Sequence, residues 1–248
     1  MRVEVEHLSV SYGPHEVLRD VSFTAAEGEC LSVLGPNGVG KSTLFKCLLG
    51  LLAARSGRAL IEQKPIVGMR RADAAKLIAY IPQSVTPAFN YTVLDTVLMG
   101  VANRVPAFQG PSDAHREKAM DILTGLGVAH LCDRGCGRIS AGERQLTLLA
   151  RALVQDARTL VMDEPTANLD YGNSFRVMER VASLAERGYT VIFSTHEPDH
   201  ALRYAKTVLA LKDGAVLSWG APKSVLTEET LSSLYGIDVC VGTVDAAG

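Results

Sequence analysis

Gly35, Pro36, Asn37, Gly38, Val39, Gly40, Lys41, Ser42 and Thr43 run consecutively, and their Gly-x4-Gly-Lys-Ser spacing constrains the chain more than any other feature. The nonapeptide follows the almost wholly apolar run 30–34 and precedes Leu44, Phe45, Leu48 and Leu49 at helical spacing. A glycine-rich turn between a buried strand and a helix lets successive backbone N–H groups point at phosphates, because no Cβ holds the backbone away. The positive end of the following helix faces the same anion. In such a turn Lys41 supplies a point charge to the outer phosphates, and the Ser42 hydroxyl is placed for Mg2+. The glycine spacing excludes a G-x-G-x-x-G dinucleotide turn.

The rest of the chain reads as the surroundings such a turn requires. Val3, Val5, Leu8 and Val10, then Val17, Leu18, Val21 and Phe23 across Gly13-Pro14, predict an antiparallel strand pair in the first 25 residues. Apolar runs 160–162, 190–193 and 208–211 predict further buried strands, separated by helical segments. Between about 84 and 156 the texture is helical. Thr92 and Asp95 stand at the start of one amphipathic stretch, and Ala119, Met120, Leu123 and Leu126 line one side of another over 113–126. The expected fold class is α/β: a mostly parallel sheet core of the P-loop NTPase type, with an N-terminal antiparallel β part and a helical insertion. One domain is expected over 1–248, with core and antiparallel part over about 1–83 and 157–240 and the helical part over about 84–156.

Composition narrows the function classes. Twenty-five basic and 27 acidic residues give a net charge of −2, without the basic surplus of a dedicated nucleic-acid binder. No stretch approaches the run of about 18 apolar residues that suits a membrane span. The N-terminus alternates like a strand and carries no signal-peptide core, which predicts a cytosolic chain. Five cysteines, an odd set, read as reduced thiols.

Two more segments carry chemistry. Asp163 and Glu164 follow the buried run 160–162, where a carboxylate at a strand end can hold Mg2+ (Asp163) and its neighbour can take a proton from water (Glu164). Beside the glycine loop, this pair points to hydrolysis of a nucleoside triphosphate. Ser140, Ala141, Gly142 and Glu143 stand where a helix begins. From the residues alone they read first as simple capping, with Ser140 capping and Glu143 complementing the helix dipole, and second as an anion site.

The glycine loop, Gln83, the Ser140–Glu143 stretch, Asp163-Glu164, Asn168-Leu169-Asp170 and His196 occur in the order and spacing of an ABC-type ATPase subunit, which the chain resembles over roughly 2–240. The resemblance implies two copies facing head to tail, with each ATP between the glycine loop of one and the Ser140 segment of the other. It gives Tyr12 a stacking role on adenine, Gln83 a reach to Mg2+ or the attacking water, His196 a contact to the γ-phosphate, and Asp170 a place at the dimer interface. Two departures stand out: Ala141 replaces a usual glycine, where a methyl group would crowd the γ-phosphate or disfavour a positive φ, and Glu143 replaces a usual glutamine.

Segments 88–100, 220–227 and 231–241 resemble ATPases of importers for iron–siderophore, haem or cobalamin, in which a helix and a final strand end the chain. This implies transmembrane permease partners, an extracytoplasmic solute-binding protein acting through them, and a place on the cytoplasmic side of the membrane. Phe89, Asn90 and Tyr91 are the expected docking residues. A transporter of molybdate or another solute, an exporter, and a soluble non-transport ATPase are the alternatives.

Overall fold

The computed structural model describes residues 1–83, 90–106 and 109–242. β1 (Val3–Tyr12) and β2 (His15–Ala25) form the expected antiparallel hairpin. Val3, Val5, Leu8 and Val10 are its buried side chains on β1. Apolar alternation slips by one residue between Val5 and Leu8, and a register shift with His7 at φ 49° absorbs the slip. His7 Nδ1 lies 2.7 Å from Asp20 Oδ1, and Asp20 is itself left-handed.

β3 (Cys30–Leu34) leads through the glycine loop into α1 (Lys41–Leu48). Then follow β4 (Ser56–Ile61), β5 (Lys64–Pro65), α2 (Arg71–Leu77) and β6 (Ile78–Ile81). α3 (Val93–Leu98), α4 (Asp113–Leu126) and α5 (Ala141–Val154) make up the helical part. β7 (Thr159–Met162), α6 (Tyr171–Glu186), β8 (Thr190–Thr195), α7 (Pro198–Tyr204) and β9 (Thr207–Lys212) restore the alternation. β10 (Ala215–Gly220), α8 (Pro222–Val225) and α9 (Glu228–Tyr235) follow.

One sheet is antiparallel, in the order β2-β1-β4-β5; the other runs β10-β9-β3-β8-β7-β6, parallel except for β10 at its edge. α1 lies between them, burying Leu44, Phe45 and Leu48 with Val5 and Phe23 on one side and Val33 and Leu209 on the other. α3, α4 and α5 pack through Val97, Ala119, Leu123 and Leu149. Truncating a side chain as fully buried as Leu123 costs about 2–5 kcal/mol. Thr92 with Asp95, and Ser140 with Glu143, form reciprocal capping boxes on α3 and α5.

The expected final strand is absent among the described residues. After α9, Gly236 (φ 70°) turns the tail back, and Val239 N donates to Ser232 Oγ while Val241 N donates to Glu228 Oε1. The helix side chains take up those N–H groups, and β10 already occupies the nearest sheet edge.

Parallel register positions the site. Leu34 pairs with Thr195, Met162 with Phe193, and Ile81 with Met162. The carboxyl ends of β3, β8, β7 and β6 therefore lie abreast, at the edge where open α/β sheets bind ligands. Each of those strands is followed within three residues by a residue singled out in the sequence: Gly35, His196, Glu164 and Gln83.

Candidate functional site

The glycine loop is shaped by two separate demands. Gly38 and Gly40 adopt left-handed φ of 82° and 111°, and Gly40 caps α1. Gly35 meets a demand of space: a Cβ there would lie 2.6 Å from the Leu211 carbonyl oxygen in β9. Gly40 abuts Leu18 and Val17 of β2, so the hairpin carrying Tyr12 lies against the loop. Tyr12 itself, the last residue of β1, is 46% exposed. Lys41 Nζ donates to the carbonyls of Gly35 (2.7 Å) and Pro36 (3.2 Å). Asn37, Gly38 and Ser42 are exposed, while Val39 and Thr43 are buried.

Three predicted residues converge on the carboxylate of a fourth, Glu164. Glu164 Oε1 pairs with Lys41 Nζ at 3.3 Å. Gln83 Nε2 donates to Glu164 Oε2 at 3.0 Å, and His196 Nδ1 lies 3.5 Å from the same oxygen. Glu164 holds a left-handed φ of 44°, uncommon for a residue with a side chain. Its backbone N–H donates to Ser194 Oγ (2.9 Å), and that hydroxyl donates to Asp163 Oδ1 (2.6 Å). Tyr80 donates to Asp163 Oδ2 at 3.5 Å. Burial, with the Asp163 charge beside it, pushes the Tyr80 phenol up to about 12, so it keeps its proton. Ser194 and Tyr80 were not singled out in the sequence; they orient Asp163 and the Glu164 backbone.

Asp163, Ser42 and Gln83 offer a carboxylate, a hydroxyl and an amide oxygen, hard donors of the type Mg2+ takes. Among the described residues no cluster of three or more His, Cys, Asp or Glu could hold a metal alone. A donor set this sparse fits Mg2+ that shares its ligands with phosphate oxygens.

Ser140, Gly142, Glu143 and Asp170 form a second group. Ser140 caps α5, with its backbone N–H and hydroxyl holding the Glu143 carboxyl below the usual carboxylate range. Asp170 caps α6, accepting from Asn173 N (2.8 Å) and Asn173 Nδ2 (2.7 Å). Gly142 packs on that asparagine: a Cβ would lie 2.9 Å from Asn173 Cγ. Asn173 thus links the two segments, a role invisible in its position in the first turn of α6. Ala141 opens α5 and is not among the left-handed residues, so the expected conflict with a positive φ does not arise. No hydrogen bond or ion pair among the described residues joins this second group, or Tyr12, to Lys41 or Glu164.

Of the expected docking residues, Phe89 lies outside the described residues. Asn90 packs on Gly135, where a Cβ would lie 2.2 Å from its Oδ1. Tyr91, 43% exposed, lines a surface groove with Leu98, Met99, Val105 and Arg116. No helix among the described residues is long and apolar enough to cross a membrane.

A family model described as "ABC transporter" matches residues 18–167, and a model described as an AAA domain, putative AbiEii toxin, matches the shorter stretch 137–199. The chain is 37% identical over 237 residues to the probable iron chelatin transport ATP-binding protein of Helicobacter pylori, covering 95% of this chain and 93% of that one. It is 33% identical to the hemin import ATP-binding protein HmuV of Myxococcus xanthus, covering 97% and 92%. A solved ATP-binding cassette of an ABC transporter in its ADP conformation superposes with a TM-score of 0.86 at 29% identity, covering 95% of this chain and 98% of that one. With the phosphate-loop geometry, these likenesses assign the chain to the ABC transporter family, as one of its ATP-binding ATPase subunits.

Proposed function

We propose that this chain powers uptake of a metal chelate, such as an iron–siderophore, haem or cobalamin, by binding and hydrolysing ATP beneath a membrane permease. The observation that carries the hydrolytic half is the convergence of Lys41, Gln83 and His196 on the Glu164 carboxylate at the strand ends. The chelate class is supported by the relatives named for iron chelatin and hemin transport.

In this reading Glu164 orients and deprotonates the attacking water, Gln83 fixes the carboxylate, and Lys41 and His196 hold the γ-phosphate. Ser42, Asp163 and Gln83 would hold Mg2+, which neutralises charge developing on the phosphates. Gly35 to Thr43 wrap the phosphates, and Tyr12 stacks on the base. Ser140, Ala141, Gly142 and Glu143, with Asp170, face the nucleotide of a second copy arranged head to tail. ATP touches both copies and so favours the closed pair. Closure moves the helical part, which carries Tyr91 against the permease on the cytoplasmic side; an extracytoplasmic binding protein delivers the solute.

The test is to tag the full chain, purify it from detergent-solubilised membranes with its bound partners, and reconstitute the complex in vesicles. ATP-dependent uptake of an iron, haem or cobalamin chelate, lost with Glu164→Gln, is the expected result. Purification without a permease, or uptake that persists with Glu164→Gln, would overturn the reading.

A further inference from the structure

The C-terminal helix reaches the catalytic edge through a single hydroxyl. Tyr235, the last residue of α9, donates to the backbone carbonyl of His196 at 2.7 Å. β8 ends at Thr195 and α7 begins at Pro198, so His196 belongs to neither the sheet ladder nor the helix. Tyr235 is the only donor to that carbonyl among the described residues. On the far side Thr195 Oγ1 accepts from Glu197 N at 3.0 Å, so the peptides flanking His196 are tied at two points.

The His196 side chain is 46% exposed and meets the site through one contact, Nδ1 to Glu164 Oε2. A side chain with so little packing takes its direction from its backbone. The Tyr235 end is firm by comparison. Leu231 and Leu234 anchor α9 in the cluster with Leu34, Val208 and Ala210, Tyr235 packs on the same cluster, and Lys212 Nζ donates to Ser233 Oγ at 2.9 Å. Burial, with the Glu197 charge nearby, pushes the Tyr235 phenol up to about 12, so the hydroxyl remains a donor across neutral pH.

We propose that Tyr235 is a positioning residue for ATP hydrolysis, its hydroxyl fixing the His196 peptide so that the imidazole is aimed at Glu164 and the γ-phosphate. The inference rests on reading Glu164 and His196 as parts of the catalytic set. It makes the tail helix a working part of the site, although no motif of the phosphate-binding machinery lies there.

Tyr235→Phe removes the hydroxyl and keeps the ring that packs α9. In the full chain with its membrane partners, kcat for ATP is expected to fall about three- to tenfold, the range one lost hydrogen bond supports, with KM for ATP essentially unchanged and Tm lower by no more than about 4 °C. In a His196→Ala background the same change is expected to do almost nothing, because a residue acting through His196 has nothing left to position. An equal loss in both backgrounds, or no loss beside intact His196, would overturn the proposal. Glu164→Gln measured alongside separates the two failures. Undiminished hydrolysis in that variant overturns the underlying reading, whereas an inactive Glu164→Gln beside an unimpaired Tyr235→Phe overturns the Tyr235 assignment alone.

Discussion

Lys41 and Glu164 are paired across the carboxyl ends of β3 and β7, Nζ to Oε1 at 3.3 Å, with side chains only 5% and 10% exposed. The two are not equally dependent on each other. Lys41 also donates to the carbonyls of Gly35 and Pro36, so it stays partnered if the carboxylate is neutralised. Glu164 has no second full cation, only the Gln83 amide and the His196 ring. Removing one member of a buried pair is costly when the other is left uncompensated.

Glu164→Gln is therefore expected to fold and to bind ATP at least as tightly as the unaltered chain, while hydrolysis falls by about 100-fold or more for loss of the base. Lys41→Ala is expected to lower Tm and to weaken ATP binding by about tenfold or more, since it strands the carboxylate and removes the phosphate charge. Calorimetric titration with ATP and thermal melts of both variants check the asymmetry. Equal destabilisation would contradict it.

Gln83 offers a sharper handle through pH. Its Nε2 lies 3.0 Å from Glu164 Oε2, so Gln83→Glu brings two carboxylates to hydrogen-bond distance. Like charges that close cannot both ionise, and one proton is retained to higher pH, a shift of about one unit or more. The shared proton blocks Glu164 as a base, so kcat should be depressed on the acid side of neutrality and recover as pH rises, at a higher pH than in the unaltered chain. A kcat profile across acidic and neutral pH that matches the unaltered chain would remove Gln83 from contact with the base during turnover.

How far this arrangement could be read from the sequence depended on whether the information was local. Cys30–Leu34, Thr159–Met162 and Thr190–Thr195 are apolar enough to announce buried strands, and their chemistry follows in contiguous residues. Ser194 and Tyr80 were hidden for the opposite reason. Each matters because β8 and β6 both lie beside β7, and strand neighbours in a parallel sheet are set by topology, not by nearby residues. β6 is also four residues long and continues from α2 without a break, giving no turn signal. The segment 231–241 misled in the other direction: its resemblance to importer ATPases implied a final strand, but the Val239 and Val241 N–H groups are taken by side chains of α9.

The helix tip at Ser140 separates two neighbouring small residues. Ala141 is in ordinary helical conformation, so Ala141→Gly should not quicken hydrolysis, and it should cost up to about 1 kcal/mol from helix propensity. At this chain length that corresponds to a Tm lower by about 2–4 °C. Gly142→Ala drives a methyl group into Asn173, whose amide holds Asp170, at an overpacking cost of about 1–3 kcal/mol. It is expected to disturb the Asp170 loop and abolish ATP-driven pairing of copies, read by size-exclusion chromatography in the Glu164→Gln background. Pairing that survives Gly142→Ala would break the link through Asn173.

The two kinds of glycine in the phosphate loop should fail in different ways. At Gly35 a methyl group would press on the Leu211 carbonyl in the buried stretch of β9, and Gly35 N is itself tied to Thr195 O, so neither side can retreat. Gly35→Ala is expected to lower stability by about 1–3 kcal/mol, seen as a reduced Tm with or without nucleotide. At Gly38 the methyl group meets nothing within 4 Å, and the penalty lies in φ +82°, about 1–2 kcal/mol for a residue with a Cβ. Because Gly38 is exposed at the crown of the loop, that strain can relax by moving the backbone, at the expense of the N–H directions that suit a phosphate. Gly38→Ala is thus expected to leave Tm nearly unchanged and to weaken ATP binding. Thermal melts paired with ATP titrations of the two variants distinguish them, and a Gly38→Ala chain that binds ATP normally would separate the loop's left-handed turn from its grip on the nucleotide.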